Sequence, residues 1–172
     1  LYEELCVSRQ DTPAASMCAI EYYEDSLLPL ARLYNLEREL DQALQEKIWL
    51  KSGGFLVIQQ TEAFVAIDVN TGKHSSKKDA EENYKQINRE AALEIARQIR
   101  LRNLSGMILI DFINMRDCED RSDLIQYMRS LVRSDSMQTV VVDVTTLGIM
   151  EITRKKSAKT LAEQLNQLRK GE

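Results

Sequence analysis

The hydrophobic period of this chain switches from two to about 3.6 and back, and that switch constrains the fold more than any other feature. Phe55 to Gln59 and Phe64 to Asn70 are apolar, β-branched runs split by the polar Gln60-Thr61-Glu62. Ahead of them, a short strand over Lys47 to Lys51 leads into Ser52-Gly53-Gly54, whose glycines suit a tight turn, so the three runs read as a β-meander. From Asp79 the pattern becomes helical. Asp79 can cap, Glu82 stands three residues on as in a capping box, and Tyr84, Ile87, Ala91, Ile95 and Ile99 form one apolar stripe that Ser105-Gly106 should stop. Met107 to Ile113 returns to strand and is nearly continuous in apolar character, as in a sheet covered on both faces. A second helix is predicted over Arg121 to Arg133 with Leu124, Met128, Leu131 and Val132 inward, then strands over Thr139 to Thr146 and Ile149 to Thr153 around a break at Gly148. Upstream, Leu36, Leu40, Ala43, Leu44 and Ile48 have helical spacing, as do Leu161, Leu165 and Leu168 in the tail. Residues 1–19 show no period. The pattern predicts an α/β domain, a mixed β-sheet with packed helices, preceded by a short mainly helical segment.

Composition fits one domain plus part of another: 172 residues, 44% hydrophobic and 29% charged, which excludes a disordered or low-complexity chain. No apolar run approaches the ~20 residues that span a bilayer. Cys6, Cys18 and Cys118 are odd in number and lack metal-ligand spacing, so a reducing, cytoplasmic setting is expected rather than a disulfide framework or a zinc finger. The chain starts at Leu1 without a signal-like opening, and reads as an excised piece of a longer protein. Charge is uneven along it. Residues 1–50 carry a net −6 and residues 51–172 a net +2, the latter with basic clusters at Lys73/Lys77/Lys78, Arg97/Arg100/Arg102 and Arg154/Lys155/Lys156/Lys159. Such clusters either contact phosphates or form ordinary solvated faces and loops.

The acids carry the chemistry. Period-two alternation over residues 63–70 puts Asp68 on one face with Phe64, Ala66 and Asn70, and in residues 107–114 it puts Asp111 with Met107 and Leu109. A carboxylate ending an apolar strand face needs a partner cation, a metal ion or a shifted pKa. Were the two strands adjacent, the paired carboxylates would suit a hard divalent cation, Mg²⁺ being the usual companion of phosphates. The alternative is that each acid pairs with an arginine or sits at a solvated strand end. Asp143 is a third strand acid of undecided role. His74 is the single histidine, so no histidine-rich metal site can form, and the string around it lacks the upstream glycine of a phosphate-binding loop.

Four ordered segments add a resemblance: TEAFVAIDVNTGK (Thr61 to Lys73), EIARQIRLRNLSG (Glu94 to Gly106), ILIDFINM (Ile108 to Met115) and LGIMEITRKK (Leu147 to Lys156). In order and approximate spacing the chain resembles the catalytic region of the ribonuclease E/G family. The resemblance implies a DNase I-like subdomain over residues 51–172, with residues 1–50 as the trailing part of a 5′-sensor and RNase H-like region. It implies hydrolysis of single-stranded RNA with Mg²⁺, the two metal-binding aspartates falling on Asp68 and Asp111 and a neighbouring functional asparagine on Asn70. Lys73, Lys77, Lys78, Arg97, Arg100 and Arg102 then become candidate contacts to the RNA backbone. A homo-oligomer of the full-length protein fits the same picture, and the family's OB-fold RNA-binding domain would lie upstream of Leu1. The family's cysteine zinc-link does not follow Lys156 within this sequence. Asn114 stands where the family commonly has Asp, and Ser136 where it often has a basic residue. The competing reading is a non-catalytic RNA-binding or assembly module that kept the fold. A DNA-directed phosphodiesterase is disfavoured by the single histidine.

Overall fold

The computed structural model describes residues 22–72 and 80–170. The chain divides into two compact units, Leu1–Asp41 and Gln42–Glu172. The first, where described, is mainly helical: Pro29 precedes the single-turn helix α1 (Leu30–Leu33), Asn35 turns the chain with a positive φ, and α2 (Leu36–Ala43) begins with Glu37 and Glu39 in its first turn. Helical spacing extends to Ile48, yet α2 stops at Ala43. Ile48 instead pairs with Leu56, because a β-branched side chain gains more from burial on a sheet than from prolonging a polar helix.

The second unit is built on one sheet. Its strands are β1 (Lys47–Trp49), β2 (Phe55–Gln60), β3 (Val65–Asn70), β4 (Gly106–Asp111), β5 (Thr139–Val144) and β6 (Ile149–Arg154). Their spatial order is β1-β2-β3-β4-β6-β5, with β3 and β4 parallel and every other pair antiparallel. The parallel pair needs a long crossover, and α3 (Ala80–Leu101) supplies it; α4 (Cys118–Val132) packs against α3 and β5. The tail helix α5 (Leu161–Lys170) begins in a reciprocal cap, Thr160 N–H donating to Glu163 Oε2 at 2.7 Å and Glu163 N–H to Thr160 Oγ1 at 3.3 Å. The mixed α/β architecture is therefore as the hydrophobic periods predict. The capping role expected of Asp79 lies outside the described residues.

A single buried cluster joins Ile87, Ala91, Ile95 and Ile99 of α3 to Leu56, Ile67, Ile108 and Ile152 of the sheet, with Met128 of α4. Only this face of the sheet is packed among the described residues. In β4 the side chains of Ile108 and Ile110 are buried while Met107 and Asp111 are exposed, and in β5 Val140 and Val142 are exposed. That corrects the expectation of a strand covered on both faces: an apolar run does not by itself distinguish one covered side from two. β5 also carries a bulge between Val141 and Asp143, which re-aims its outer half.

Three polar devices pin the core. Asn88, fully buried on α3, donates to Ile113 O at 2.8 Å and accepts from Ile113 N at 3.0 Å. Glu90 accepts from the N–H groups of Lys51 and Ser52 at 2.6 and 2.9 Å, holding the turn between β1 and β2. Burial works to raise the Glu90 pKa, but the hydrogen bonds from Ser52 and Lys51 prevail and leave it below its ordinary value. α3 ends in a Schellman motif, Leu104 N bonding Ile99 O and Asn103 N bonding Arg100 O, with Asn103 at a φ of 50°. Asn103, not Ser105-Gly106, is the helix stop, since asparagine is the non-glycine residue that best tolerates the left-handed conformation.

Candidate functional site

The parallel pairing of β3 with β4 sets Asp68 directly opposite Asp111 in register. Neighbouring strands lie about 4.8 Å apart, so the two carboxylates leave the same face of the sheet side by side, at the C-terminal ends of two parallel strands. Alternation places Val65, Ile67 and Val69 in the core and turns Ala66, Asp68 and Asn70 outward. Both aspartates are exposed. Their face is thus the open one, and the cost expected from burying a carboxylate does not arise; what remains is the mutual repulsion of two anions held at strand spacing.

Asn70 Nδ2 donates to Asp68 Oδ2 at 2.7 Å. That bond fixes the carboxylate from the next outward position of the same strand. Among the described residues no lysine or arginine forms an ion pair with Asp68 or Asp111, and no group of three or more His, Cys, Asp or Glu side chains is placed to hold a metal. Two exposed carboxylates without a counter-ion among the described residues are a hard oxygen-donor set with open positions. Such a set fits a divalent cation that keeps several waters, as Mg²⁺ does. Asp143 is not part of it: β6 stands between β5 and β4, and Asp143 lies opposite Glu151.

The arginines are arranged otherwise than the sequence grouping suggests. Arg97 and Arg100 are exposed on α3, against the packed face, near the helix end that leads into the start of β4 and so away from Asp111. Arg97 is paired with Glu94 at 2.8 Å. Arg102 is only 6% exposed; its Nε donates to Gln98 Oε1 at 2.7 Å and its Nη2 to Gln45 O at 2.6 Å. Burial pulls the Arg102 pKa down, with Glu94 acting in the opposite sense. Arg102 is accordingly corrected from a backbone-phosphate contact to a core strut tying the end of α3 to the segment before β1. Arg154 is likewise buried, its guanidinium spanning Asp135, Asn103 and Leu104 O. Lys73, His74, Lys77 and Lys78 lie outside the described residues.

Beyond the end of β4 the sheet opens into a cleft of about 110 Å³ whose polar lining includes Asn114, Arg121, Thr145 and Thr146. Asp111 pairs with Ile149 at the start of β6, which places this cleft at the same end of the sheet as the carboxylates. Gly148 lines the cleft with a φ of +89°, a conformation that favours glycine, and a Cβ there would make only ordinary contact with Asn114 Oδ1 at 3.4 Å. Arg121, Thr145 and Thr146 carry no motif of their own in the sequence. The only signal for the two threonines is the Thr-Thr-Leu-Gly string between two strands, which announces a turn and not what the turn faces, while Arg121 reads as an ordinary charge in the first turn of α4.

Comparison with known proteins adds to this geometry. Residues 2–157 match the model of the Ribonuclease E/G family. The chain is 38% identical over 137 residues to Ribonuclease G of Escherichia coli (strain K12), covering 80% of this chain and 28% of that protein. It is 40% identical over 137 residues to Ribonuclease G of Haemophilus influenzae, with the same coverage of 80% and 28%. To Ribonuclease E of Nostoc sp. it is 35% identical over 144 residues, 84% of this chain and 21% of that one. The chain thus spans between a fifth and a third of the length of these relatives. Among the described residues no helix is long and apolar enough to cross a membrane.

Proposed function

The chain belongs to the Ribonuclease E/G family, and from that premise we propose that it is the catalytic region of a Mg²⁺-dependent endoribonuclease that cuts single-stranded RNA during the processing of ribosomal RNA and the decay of messenger RNA. The observation that carries this reading is the register of Asp68 opposite Asp111 on a face that no described element covers. An extended polyanion can reach both carboxylates there without any rearrangement of the packed side. Cytoplasmic action and assembly of the full-length protein into a homo-oligomer accompany the proposal.

Asp68 and Asp111 would hold the cation, and Asn70 restrains the Asp68 carboxylate through the 2.7 Å hydrogen bond. When bound, a divalent ion there supplies charge neutralisation at the scissile phosphate and acidifies a coordinated water. The chain's own part is positional. Asp68 and Asp111 fix where a phosphate can approach, Asn70 offers its amide to water or phosphate, and the open face admits a flexible strand. Lys73, Lys77 and Lys78, next along the chain after Asn70, would add sequence-tolerant attraction to the RNA backbone. Exposed Arg97 and Arg100 act at most on more distant phosphates.

The test is cleavage of an end-labelled single-stranded RNA with Mg²⁺ and with EDTA. Cleavage is expected only with the ion, and should be lost in Asp68→Asn and in Asp111→Asn while both variants still bind RNA. Cation-independent cleavage, or full activity in both variants, would refute the reading.

A further inference from the structure

The open face that carries Asp68 and Asp111 also carries an aromatic pair that the proposed reaction leaves unused. Trp49 on edge strand β1 is opposite Phe55 on β2, and Phe55 is opposite Asn70 on β3. Register alone therefore puts Trp49, Phe55 and Asn70 in one row across three strands, with Lys47, Val57, Asp68 and Asp111 in the row beneath. Ile48 and Leu56, one residue out of phase, point to the packed side, Leu56 being fully buried. The Trp49 and Phe55 rings stand 5.2 Å apart between centroids at an angle of 56°, and the Lys47 ammonium sits 4.3 Å from the first and 3.8 Å from the second. That lysine occupies one face of each ring. Trp49 nonetheless remains 65% exposed.

An indole that packs on one side against Phe55 and Lys47 yet keeps most of its surface in water has further burial to gain from something that binds it. Aromatic side chains flanked by a cation are what sequence-tolerant single-strand binders use, with a base on the ring and a phosphate near the charge. Strand spacing and rise place the Trp49 backbone roughly 12 Å from that of Asp68, within reach of a nucleotide close to the scissile one. We infer that Trp49, Phe55 and Lys47 form a stacking platform for an unpaired base of the RNA, beside the carboxylate pair on the same face. The platform rests on the RNA reading above and adds to it a subsite that selects for unpaired bases: a base held in a duplex has no free face for Trp49.

Trp49 is the single tryptophan of the chain, so its emission reports this position alone. The experiment titrates the 172-residue chain, in EDTA to prevent cleavage, with a fluorescein-labelled oligouridylate and with an abasic ribose-phosphate oligomer of equal length. Binding is followed separately by anisotropy of the label. The base-bearing oligomer is expected to quench Trp49 emission and the abasic one to leave it unchanged. Trp49→Ala should weaken the oligouridylate about 10-fold or more and leave abasic binding untouched, while Trp49→Phe restores most of the affinity. Anisotropy that rises with no change in Trp49 emission overturns the platform and leaves the RNA reading standing. Absence of binding by either oligomer overturns both. Emission that instead shifts with protein concentration in the absence of RNA would make this edge an interface between copies and overturn the proposal.

Discussion

Asn88 and Ile113 exchange two hydrogen bonds, the side-chain amide of one satisfying both backbone polar groups of the other at 2.8 and 3.0 Å. Ile113 stands two residues past Asp111, where β4 has ended and its ladder no longer supplies partners. A helix residue thus substitutes for a missing strand and holds the end of β4 in place. Asn88→Ala should destabilise the domain by about 2 kcal/mol, since it strands a part-buried N–H and a part-buried C=O together. Urea unfolding monitored by circular dichroism measures it, and a cost below about 0.5 kcal/mol would show that water replaces the amide.

For the aspartate pair the expected stability effect has the opposite sign. Removing one of two adjacent anions relieves repulsion, so Asp68→Asn and Asp111→Asn should leave the cation-free fold intact and slightly more stable, by less than about 1 kcal/mol. Mg²⁺ or Mn²⁺ should raise the melting temperature of the parent chain and not of either variant. Strong destabilisation by Asp111→Asn would assign that carboxylate to an ion pair instead.

The buried pair Asp135–Arg154, at 2.7 Å, predicts an acid limb in the stability profile. Burial alone would raise the Asp135 pKa, but the Arg154 hydrogen bond, with those from Met137 N and Thr139 Oγ1, brings it down to about 2 from 3.8. The folded-state pKa is the lower one, so the contribution is complete above the unfolded value near 3.8 and disappears as pH falls toward 2. Its size is about 2 kcal/mol. Asp135→Asn should flatten that limb and cost about 3 kcal/mol at neutral pH, because Arg154 is then buried without its counter-ion. A pH series of thermal melts on both proteins checks it.

Arg102 and the loop lysines should separate cleanly. Arg102→Ala removes the donors to Gln98 and Gln45 O and should cost about 2 kcal/mol of stability, with no change in the salt dependence of RNA binding. The triple change of Lys73, Lys77 and Lys78 to Ala should do the reverse, leaving stability nearly constant and lowering the salt slope by roughly one unit for each phosphate no longer neutralised. An unchanged slope in that variant would assign the loop to solubility.

Elements with a long, clean period are legible in the sequence. The stripe of α3 from Ile87 to Ile99 and the alternation of β3 both lie where the period puts them, because one buried face imposes one period. The same alternation marks Asp68 and Asp111 as sharing faces with their neighbours, though not which face meets water: that depends on where the helices dock, a long-range outcome. Arg102 escapes sequence reasoning for a related reason. An arginine at the end of a helix looks like a surface charge until a distant backbone carbonyl, Gln45 O, arrives to receive it. Trp49 gives no sequence signal, because a lone aromatic in a three-residue strand has no period at all.

The parallel pairing of β3 with β4 has a consequence for how the protein comes into being. Asp68 and Asp111 are separated in the chain by the whole of α3, and they become neighbours only when that crossover has closed. Non-local pairings of this kind repay their loop-closure entropy late. During synthesis, a ribosome that has released β1 to β3 presents a meander with one of the two carboxylates and the other not yet beside it. The pairing of the two carboxylates is therefore tied to the arrival of the last residue of β4.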